Sequence, residues 1–396
     1  MDSAVGTVVY GLRTPIFKEG DCLIEWVPRI VTEFYRKQNV SPRDKDIVAI
    51  TESVVARTQG NYVSLDDVAE DIRRAFPEKG IGVLFPIMSR NRFSSTLKAI
   101  ARANKEVIIQ LSYPADEVGN HLISEDQLDE AGVNPWTDVL SEDEFRRHFG
   151  ISRHIFSDVD YVRHYREVVE SEGAECTIVF SNRPETILEY TKNILYCDVH
   201  DRKRTKRALI KAEANTVLGL EDLMTTPSEE HGYNPEYGLL GSNLSSDEEM
   251  KLFPRGSQEL VETIQKKLKE MTGKTIEVMV YGDGAFKDPL GKIWELADPV
   301  VAPGYTSGLE GGPNEIKLKY LADNRFGDLE GEELSEALTQ MIRDKDKELI
   351  DEDLRLGTTP RRYYDLLGSL CDLTSGSGDK GTPFVYIQGY FGNFAD

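Results

Sequence analysis

The most informative position in the sequence is an aspartate between two glycines at the end of an apolar strand. Residues 275–280, Thr-Ile-Glu-Val-Met-Val, alternate as a strand does, and Tyr281-Gly282-Asp283-Gly284 follows them. The glycines let a ligand approach the backbone closely, so the Asp283 carboxylate is expected where the chain leaves the sheet. A carboxylate there suits a divalent ion that bridges nucleotide phosphates. The alternative is a plain Asp-Gly turn.

Further acids follow in the same stretch of chain. Asp288, Glu295 and Asp298 offer carboxylates that can complete a metal site with Asp283. The alternative is that they are solvated loop acids, which are common in so acidic a chain. The spacing does not decide between these two interpretations.

Three segments bring cations close to predicted strand ends. Residues 51–60 carry Arg57, which can fork onto a phosphate or carboxylate, or form a salt bridge at a helix end. Residues 89–98 are the most basic and hydroxyl-rich stretch, and they either start an anion-holding helix or form an ordinary loop. Residues 375–381, with Lys380, are a weak candidate for wrapping phosphate, because they precede a strand and match no Walker sequence.

One further tract has chemical potential, whereas several well-known motifs are missing. Residues 114–121 contain Asp116, Glu117, Asn120 and His121 after a predicted strand, and they can supply ligands or a base, or simply cap a turn. The sequence has no Gly-x-Ser-x-Gly elbow, no HExxH and no GxGxxG after a strand. Serine hydrolase, zincin and simple dinucleotide-binding functions therefore have little support.

The elements that must position these residues predict a mixed α+β fold, with mixed sheets, flanking helices and a large insertion. Residues 1–112 and 234–396 show clear periodic patterns and are expected to form the core, whereas residues 113–233 are acidic and sparse in apolar runs and are expected to form an insertion or subdomain. Strands are predicted at residues 6–10, 46–51, 81–86, 106–112, 176–180, 275–280 and 383–388. Helices are predicted from residue 21 and over residues 93–103, 184–195, 260–271 and 363–373, with Gly273 ending the fourth of these.

Composition narrows the class of protein. The net charge of −22 over 396 residues argues against nucleic-acid binding, which needs a dense basic surface. The start of the chain has no basic segment followed by an apolar run, and no window approaches the roughly 20 apolar residues of a membrane helix. The four cysteines lack CxxC spacing, which favours reduced thiols. We therefore expect a cytoplasmic protein.

Taken in order, these segments resemble the coenzyme F-420 γ-glutamyl ligase family. Residues 46–60 are similar to a family strand followed by Val-Ser-Lys-Ala-Glu-Gly, with Arg57 in the place of the lysine and Gln59 in the place of the glutamate. Residues 238–243, Gly-Leu-Leu-Gly-Ser-Asn, resemble the family's Ala-Gly-Ile-Asp-x-Ser-Asn, and Asp283 falls on the aspartate of its Ser-Asp-Thr-Phe-Gly-Arg-Pro segment. The similarity covers residues 6–66 and 236–310 well, and residues 365–391 loosely.

The resemblance implies a GTP-dependent ligase that works with Mg²⁺ or Mn²⁺ as a homodimer. It forms an acyl phosphate on a carboxylate acceptor, and the amino group of glutamate then displaces the phosphate. The substrates it implies are therefore small molecules: a nucleoside triphosphate, glutamate and the acceptor. The site residues it implies are Asp283 and Arg57 for catalysis, Arg57, Gln59, Gly60, Ser242, Asn243 and Gly284 for the nucleotide, and Asp283, Asn243 and Asp288 for the metal.

The sequence also departs from the family pattern. Leu240 stands in the place of a metal-binding aspartate, Lys287-Asp288-Pro289 replaces Arg-Pro, and the middle of the chain has no counterpart in compact members. The metal site is therefore either rebuilt, with Asp288, Asp247 or acids of the insertion, or lost. A protein of this fold that binds a nucleotide, deazaflavin or folate without catalysis is the alternative, and an assembly subunit that docks a partner is a third.

Overall fold

The computed structural model describes residues 5–77, 80–294, 296–345, 349, 359–375 and 379–395. Within these residues the strands form three sheets with helices packed against them, which confirms the α+β class. The strands are β1 (Val8–Leu12), β2 (Ile47–Thr51), β3 (Tyr62–Ser64), β4 (Ile81–Leu84), β5 (Glu106–Leu111), β6 (Leu140–Ser141), β7 (Glu175–Phe180), β8 (Asn193–Tyr196), β9 (Thr216–Gly219), β10 (Asn243–Ser246), β11 (Glu249–Lys251), β12 (Glu277–Tyr281), β13 (Gly304–Tyr305) and β14 (Phe384–Gln388).

The helices connect these strands and cover the faces of the sheets. They are α1 (Leu23–Gln38), α2 (Glu52–Thr58), α3 (Leu65–Ala75), α4 (Ser94–Ala103), α5 (Glu125–Ala131), α6 (Glu142–Phe149), α7 (Tyr161–Ser171), α8 (Arg202–Lys211), α9 (Ser257–Thr272), α10 (Leu318–Asn324), α11 (Gly331–Asp344) and α12 (Tyr363–Ser375). Helix α3 begins with a capping box, in which Ser64 Oγ accepts from the Asp67 N–H at 3.1 Å. Helix α9 ends at Gly273, whose φ of 71° is left-handed, as the sequence predicts.

A five-stranded sheet carries the strand that precedes Asp283. Its order is β1-β14-β2-β12-β13, in which β2 and β12 run parallel and the other neighbours are antiparallel. Helices α1 and α9 contribute to the apolar cluster on one face, and α12 contributes to the cluster on the other. All five residues of β12 are buried, as expected for a strand covered on both faces.

A six-stranded sheet is built from the middle of the chain. Its order is β6-β7-β5-β4-β8-β9, and β6 is antiparallel to the five parallel strands. Strands β4 and β5 precede residue 113 and pair with strands that follow it. The predicted boundary between residues 112 and 113 therefore runs through one sheet, and the division into core and insertion stays a prediction.

The small sheet β10-β11-β3 packs in the core of the six-stranded sheet. Met250 of β11 and Val63 of β3 are buried in the same apolar cluster as Val83 of β4 and Ile109 of β5. Leu240 belongs to this cluster as well. The six-stranded sheet therefore shares its core with residues that precede and follow it in the chain.

The predicted helix over residues 184–195 is wrong. A 3-10 turn spans Pro184–Glu189, and β8 begins at Asn193. Ile194 and Leu195 match the spacing of a helical face, but both lie in a short parallel strand whose four residues are all buried. A continuous apolar run suits such a strand as well as a buried helix, so its period is ambiguous.

The other predicted strands and helices fall on observed ones, with ends displaced by a few residues. In the described part of the chain, no helix combines the length and apolarity needed to cross a membrane. All four cysteines are free thiols.

Candidate active site

The candidate site lies where two parallel strands end side by side. Thr51 of β2 pairs with Tyr281 of β12, so the residues that follow them leave the sheet at the same edge. Glu52 comes after the first strand and Asp283 after the second. The carboxyl ends of parallel strands are a common place for ligand sites in α/β sheets.

The two glycines beside Asp283 allow close packing around its carboxylate. A Cβ on Gly282 would lie 2.4 Å from Asp298 Oδ2, and one on Gly284 would lie 2.6 Å from Ser369 Cα of helix α12. The Asp283 N–H donates to Asp298 Oδ2 at 2.8 Å, and the Gly284 N–H donates to Asp372 Oδ2 at 3.0 Å. Three aspartates are thereby brought together around a backbone that has no room for side chains.

Arg92 joins two of these aspartates. Its Nη2 donates to Asp283 Oδ2 at 2.7 Å, and its Nη1 donates to Asp298 Oδ1 at 2.8 Å and to the Gly241 carbonyl at 3.1 Å. Arg92 lies in the basic segment before α4. From the sequence, this segment is predicted either to hold an anion at a helix start or to form an ordinary loop. The structure shows an internal counter-ion for two carboxylates.

The electrostatics of the site are dominated by buried acids. Burial, together with the neighbouring Asp298, raises the pKa of Asp283 well above its usual range, although Arg92 opposes this. Burial also raises the pKa of Asp372, and it raises the pKa of Glu52 to about 7 against the opposing effect of Lys251.

Opposite charges compensate these acids in part. Burial alone would lower the pKa of Arg92, but Asp298, Asp283 and Glu52 raise it overall. Lys251 Nζ lies 3.7 Å from Glu52 Oε1 and donates to Ser53 Oγ at 2.5 Å. Four carboxylates thus face two cations, which leaves two negative charges when all six groups are ionised.

Two cavities meet at Asp283 and Asp372. The β2 cavity, of about 490 Å³, lies at the end of strand β2 and is lined also by Glu52, Ser53 and Arg57. The β4 cavity, of about 1030 Å³, lies beside the loop after β4 and is lined by apolar side chains and by a similar number of polar and charged ones. Because both aspartates line both cavities, ligands in the two would approach each other at these carboxylates.

The donor set fits a divalent cation that is completed by a ligand. In the described part of the chain, no hydrogen bond reaches Oδ1 of Asp283 or of Asp372, and Oε2 of Glu52 is buried without a partner. No three His, Cys, Asp or Glu residues among those described are arranged to hold a metal by themselves. Mg²⁺ usually takes one or two protein carboxylates plus substrate phosphates, so a preformed cage is not required. The two uncompensated charges equal those of one such ion.

The structure places the other predicted site residues in different surroundings. Arg57 is exposed at the β2 cavity, and its Nε donates to the Phe17 carbonyl at 2.6 Å. The Gln59 amide bonds twice to the main chain of Arg255, at 2.6 and 3.1 Å. Gly60 has a left-handed φ of 59°. The nucleotide-binding roles of Arg57, Gln59 and Gly60 stay predictions.

The predicted site residues Ser242, Asn243 and Asp288 do not all lie at the carboxylate cluster. Ser242 is buried, and Asn243 of β10 pairs with Lys251 of β11, the lysine beside Glu52. Asp288 Oδ1 instead accepts from the N–H groups of Leu290 and Gly291, at 2.8 and 2.5 Å, and so closes its own turn. A metal role for Asn243 or Asp288 stays a prediction.

Sequence reasoning missed part of the site. The basic segment 89–98 marks the neighbourhood of Arg92 but not its aspartate partners, which lie far away along the chain. No local pattern marks Asp372, whose partner Gly284 is equally distant. Glu52 has a usable signal, since it follows a strand directly in the segment that carries Arg57. Asp298 is one of the acids that the sequence predicts near Asp283, whereas Glu295 and residues 376–378 of the glycine loop lie outside the described residues.

The fold and the site together define an α+β protein with a cleft that is acidic at its centre. The chain belongs to the F420-0:gamma-glutamyl ligase family, whose family model matches residues 11–389. The matched range includes residues 113–233. A search of the curated proteins gave no match.

Proposed function

We propose that the protein is a nucleotide-dependent ligase that joins glutamate, or a similar amino acid, to a carboxylate acceptor through an acyl phosphate. The proposal depends on family membership and on one observation, namely that two cavities share the carboxylates of Asp283 and Asp372. Phosphoryl transfer requires the nucleotide and the acceptor to meet at one point. Two cavities with a shared acidic border supply such a point.

The β2 cavity is the proposed nucleotide site, with GTP as the co-substrate. Its wall contains Thr51 and Ser53 hydroxyls and the exposed guanidinium of Arg57, which suit phosphate oxygens. Gly381, with a left-handed φ of 64°, also lines it. The β4 cavity is about twice as large and includes Phe156, Tyr161 and Phe286, which suit an acceptor with an apolar body.

Mg²⁺ or Mn²⁺ is the proposed cofactor, with Asp283 and Glu52 as its protein ligands. When bound, the ion would neutralise phosphate charge as the phosphoryl group moves. Arg92 fixes the orientation of Asp283 through Oδ2 and leaves Oδ1 for the ion. Asp372, at the border of both cavities, is the proposed acceptor for the proton that the glutamate ammonium loses.

The test is turnover of GTP, and separately ATP, with glutamate and candidate carboxylate acceptors, for the wild type and Asp283→Asn. We expect turnover that depends on both acceptor and metal, and a loss of about 100-fold or more in the variant. Unchanged turnover in Asp283→Asn would remove this residue from the mechanism. GTP binding without turnover under any condition would favour the non-catalytic alternative. We further propose that the protein is a cytoplasmic homodimer. Sedimentation measurements would test the oligomeric state.

A further inference from the structure

A third cavity, of about 860 Å³, lies at the carboxyl ends of the parallel strands of the six-stranded sheet. We call it the α8 cavity, because one face of helix α8 lines it together with residues that follow β4, β5, β7 and β8, such as Phe85, Arg183 and Asp198. Counted along the chain, the parallel strands lie in the order third, second, first, fourth, fifth. The direction of the order reverses between β4 and β8. Open α/β sheets bind ligands in the crevice at such a reversal.

A buried carboxylate in this cavity is only half satisfied. Asp198 is 2% exposed, and its Oδ2 accepts from Thr205 Oγ1 at 2.8 Å. Its Oδ1 has no hydrogen-bond partner in the described part of the chain. Burial, with a contribution from Glu117, raises the pKa of Asp198 to about 7. A buried polar atom without a partner is costly, so a donor supplied by a ligand would stabilise this arrangement.

Three cations stand on the rim of the same cavity. Arg183, Arg204 and Lys211 line it and are exposed, and within the described residues none of them forms an ion pair. Arg204 and Lys211 are seven residues apart on α8, with Ala208 between them, so they project from one face of the helix. Glu125, Glu185 and Asp201 also line the cavity and are exposed, but in the described part of the chain they form no ion pair with the three cations. The guanidinium and ammonium groups are therefore free to bind an anionic group of a ligand.

The usual anion position at the start of α8 is already occupied. The Glu117 carboxylate accepts from the N–H groups of Val199, His200 and Asp201, the last two at 3.0 and 3.4 Å. An internal anion thus takes the place that a phosphate would take at a helix N-terminus. A phosphate of a ligand would therefore lie on the rim, among Arg183, Arg204 and Lys211.

An exposed aromatic ring completes the cavity. Trp136 is 78% exposed and lies in the cavity lining beside Pro135. An exposed indole offers a flat apolar face on which a planar heterocycle can stack. The volume also suits a ligand much larger than an amino acid.

We propose that the α8 cavity binds a mononucleotide, with the heterocycle stacked on Trp136, an N–H of the heterocycle donating to Asp198, and the phosphate held by Arg183, Arg204 and Lys211. This site is distinct from the proposed ligase site and does not depend on ligase activity. Purine nucleotides and flavin mononucleotide share the required chemistry, a planar ring with an N–H donor and a phosphate.

The experiment is a titration of the full-length protein with GMP, AMP and flavin mononucleotide, each in a separate titration. Calorimetry and tryptophan fluorescence measure the binding. None of the three carries the phosphoanhydride that the proposed ligase reaction consumes. We expect at least one to bind with a Kd below about 1 mM. For a purine nucleotide we expect fluorescence quenching that disappears in Trp136→Phe. The choice among the three distinguishes a purine site from a flavin site.

Two variants and a matched control test the assignment. Asp198→Asn keeps an acceptor for Thr205 but loses the charge, and we expect it to weaken binding about tenfold or more. Arg204→Glu changes an exposed residue that should not affect folding, and we expect a similar loss. Arg207→Glu makes the same charge change on α8 outside the cavity lining and should bind as the wild type does.

Three results would overturn the proposal. The first is that none of the three nucleotides binds. The second is that Asp198→Asn and Arg204→Glu both bind like the wild type. The third is that Asp283→Asn abolishes binding while Asp198→Asn retains it, which would place the nucleotide in the β2 cavity instead. An inactive Asp283→Asn variant that still binds the mononucleotide would separate failure of the ligase proposal from failure of this one.

Discussion

Arg92 pairs with two carboxylates that are distant in sequence. We expect its removal to lower stability as well as activity. Asp298 is fully buried, so Arg92→Ala would leave its charge without a partner. Breaking a buried ion pair in this way costs about 3–5 kcal/mol, and we expect a loss of that size in the free energy of unfolding. Denaturant titration measures it, with the exposed neighbour Arg90→Ala as control. Equal stability of the two variants would contradict the role given to Arg92.

Leu240 shows how the chain replaced an expected ligand. It is 1% exposed and packs in the apolar cluster of the six-stranded sheet, whereas the resemblance places a metal-binding aspartate there. We expect Leu240→Ala to lower the free energy of unfolding by about 2–5 kcal/mol through lost packing. Leu240→Asp should lower it at least as much, because an unpaired buried charge adds to the lost packing. Thermal melts with and without Mn²⁺ would decide this. Restored stability of the aspartate variant with metal would mean that Leu240 lies at an intact metal site.

Asp198 should make stability depend on pH. Its pKa is raised from the ordinary 3.8 to about 7, mainly by burial, so the folded protein binds the extra proton between these values. Stability therefore falls as pH rises through this window, and the loss is complete above about pH 7. We expect Asp198→Asn to gain over the wild type by roughly 2 kcal/mol more at about pH 8 than at about pH 5. A difference that is independent of pH would contradict this assignment.

At the scale of elements, strands β2 and β12 and the glycines after β12 were predictable, because each strand carries a local pattern that ends in a clear break. Their pairing could not be predicted, since the register of Thr51 with Tyr281 depends on contacts between distant parts of the chain. The same limit explains the error at β8. A buried parallel strand has no alternation that separates it from a helix.

The approach of β12 to α12 depends on Gly284. A Cβ there would lie 2.6 Å from the Ser369 backbone, so Gly284→Ala must push the helix or the loop away. The helix carries Asp372, which accepts from the Gly284 N–H, and its carboxylate would move with it. We expect ligase turnover to fall about tenfold or more, because a displacement of about 1 Å in a site can cost more than that. The control is Gly6→Ala, where a Cβ has nothing within 4 Å. Equal turnover of the two variants would show that the packing tolerates the change.

At the scale of the whole molecule, the sequence predicted the α+β class and the place of Asp283 but not the cleft around it. The cleft is formed by Arg92 from the segment after β4, Asp283 from the turn after β12, and Asp372 from α12. These segments lie far apart in sequence, and only the packing of the two larger sheets brings them together. A single sequence contains no signal for such a meeting, because each segment alone also has an ordinary structural interpretation.

The β4 cavity lies between the two larger sheets, so a ligand bound there should stabilise both together. Met88 and Tyr161 contribute to it from the six-stranded sheet and its helices, and Asp283 and Asp372 contribute from the five-stranded sheet and α12. A ligand at 100 times its Kd adds about 2.7 kcal/mol to the free energy of unfolding. For a protein of this size that corresponds to an increase in Tm of about 3 °C. Calorimetry with GTP, Mg²⁺ and a bound carboxylate acceptor should show the whole unfolding transition at a higher temperature. The fluorescence changes of Trp26 and Trp136 on unfolding should occur at the same temperature. If only the signal from Trp26 moves, the ligand contacts the five-stranded sheet alone, and the β4 cavity is not the acceptor site.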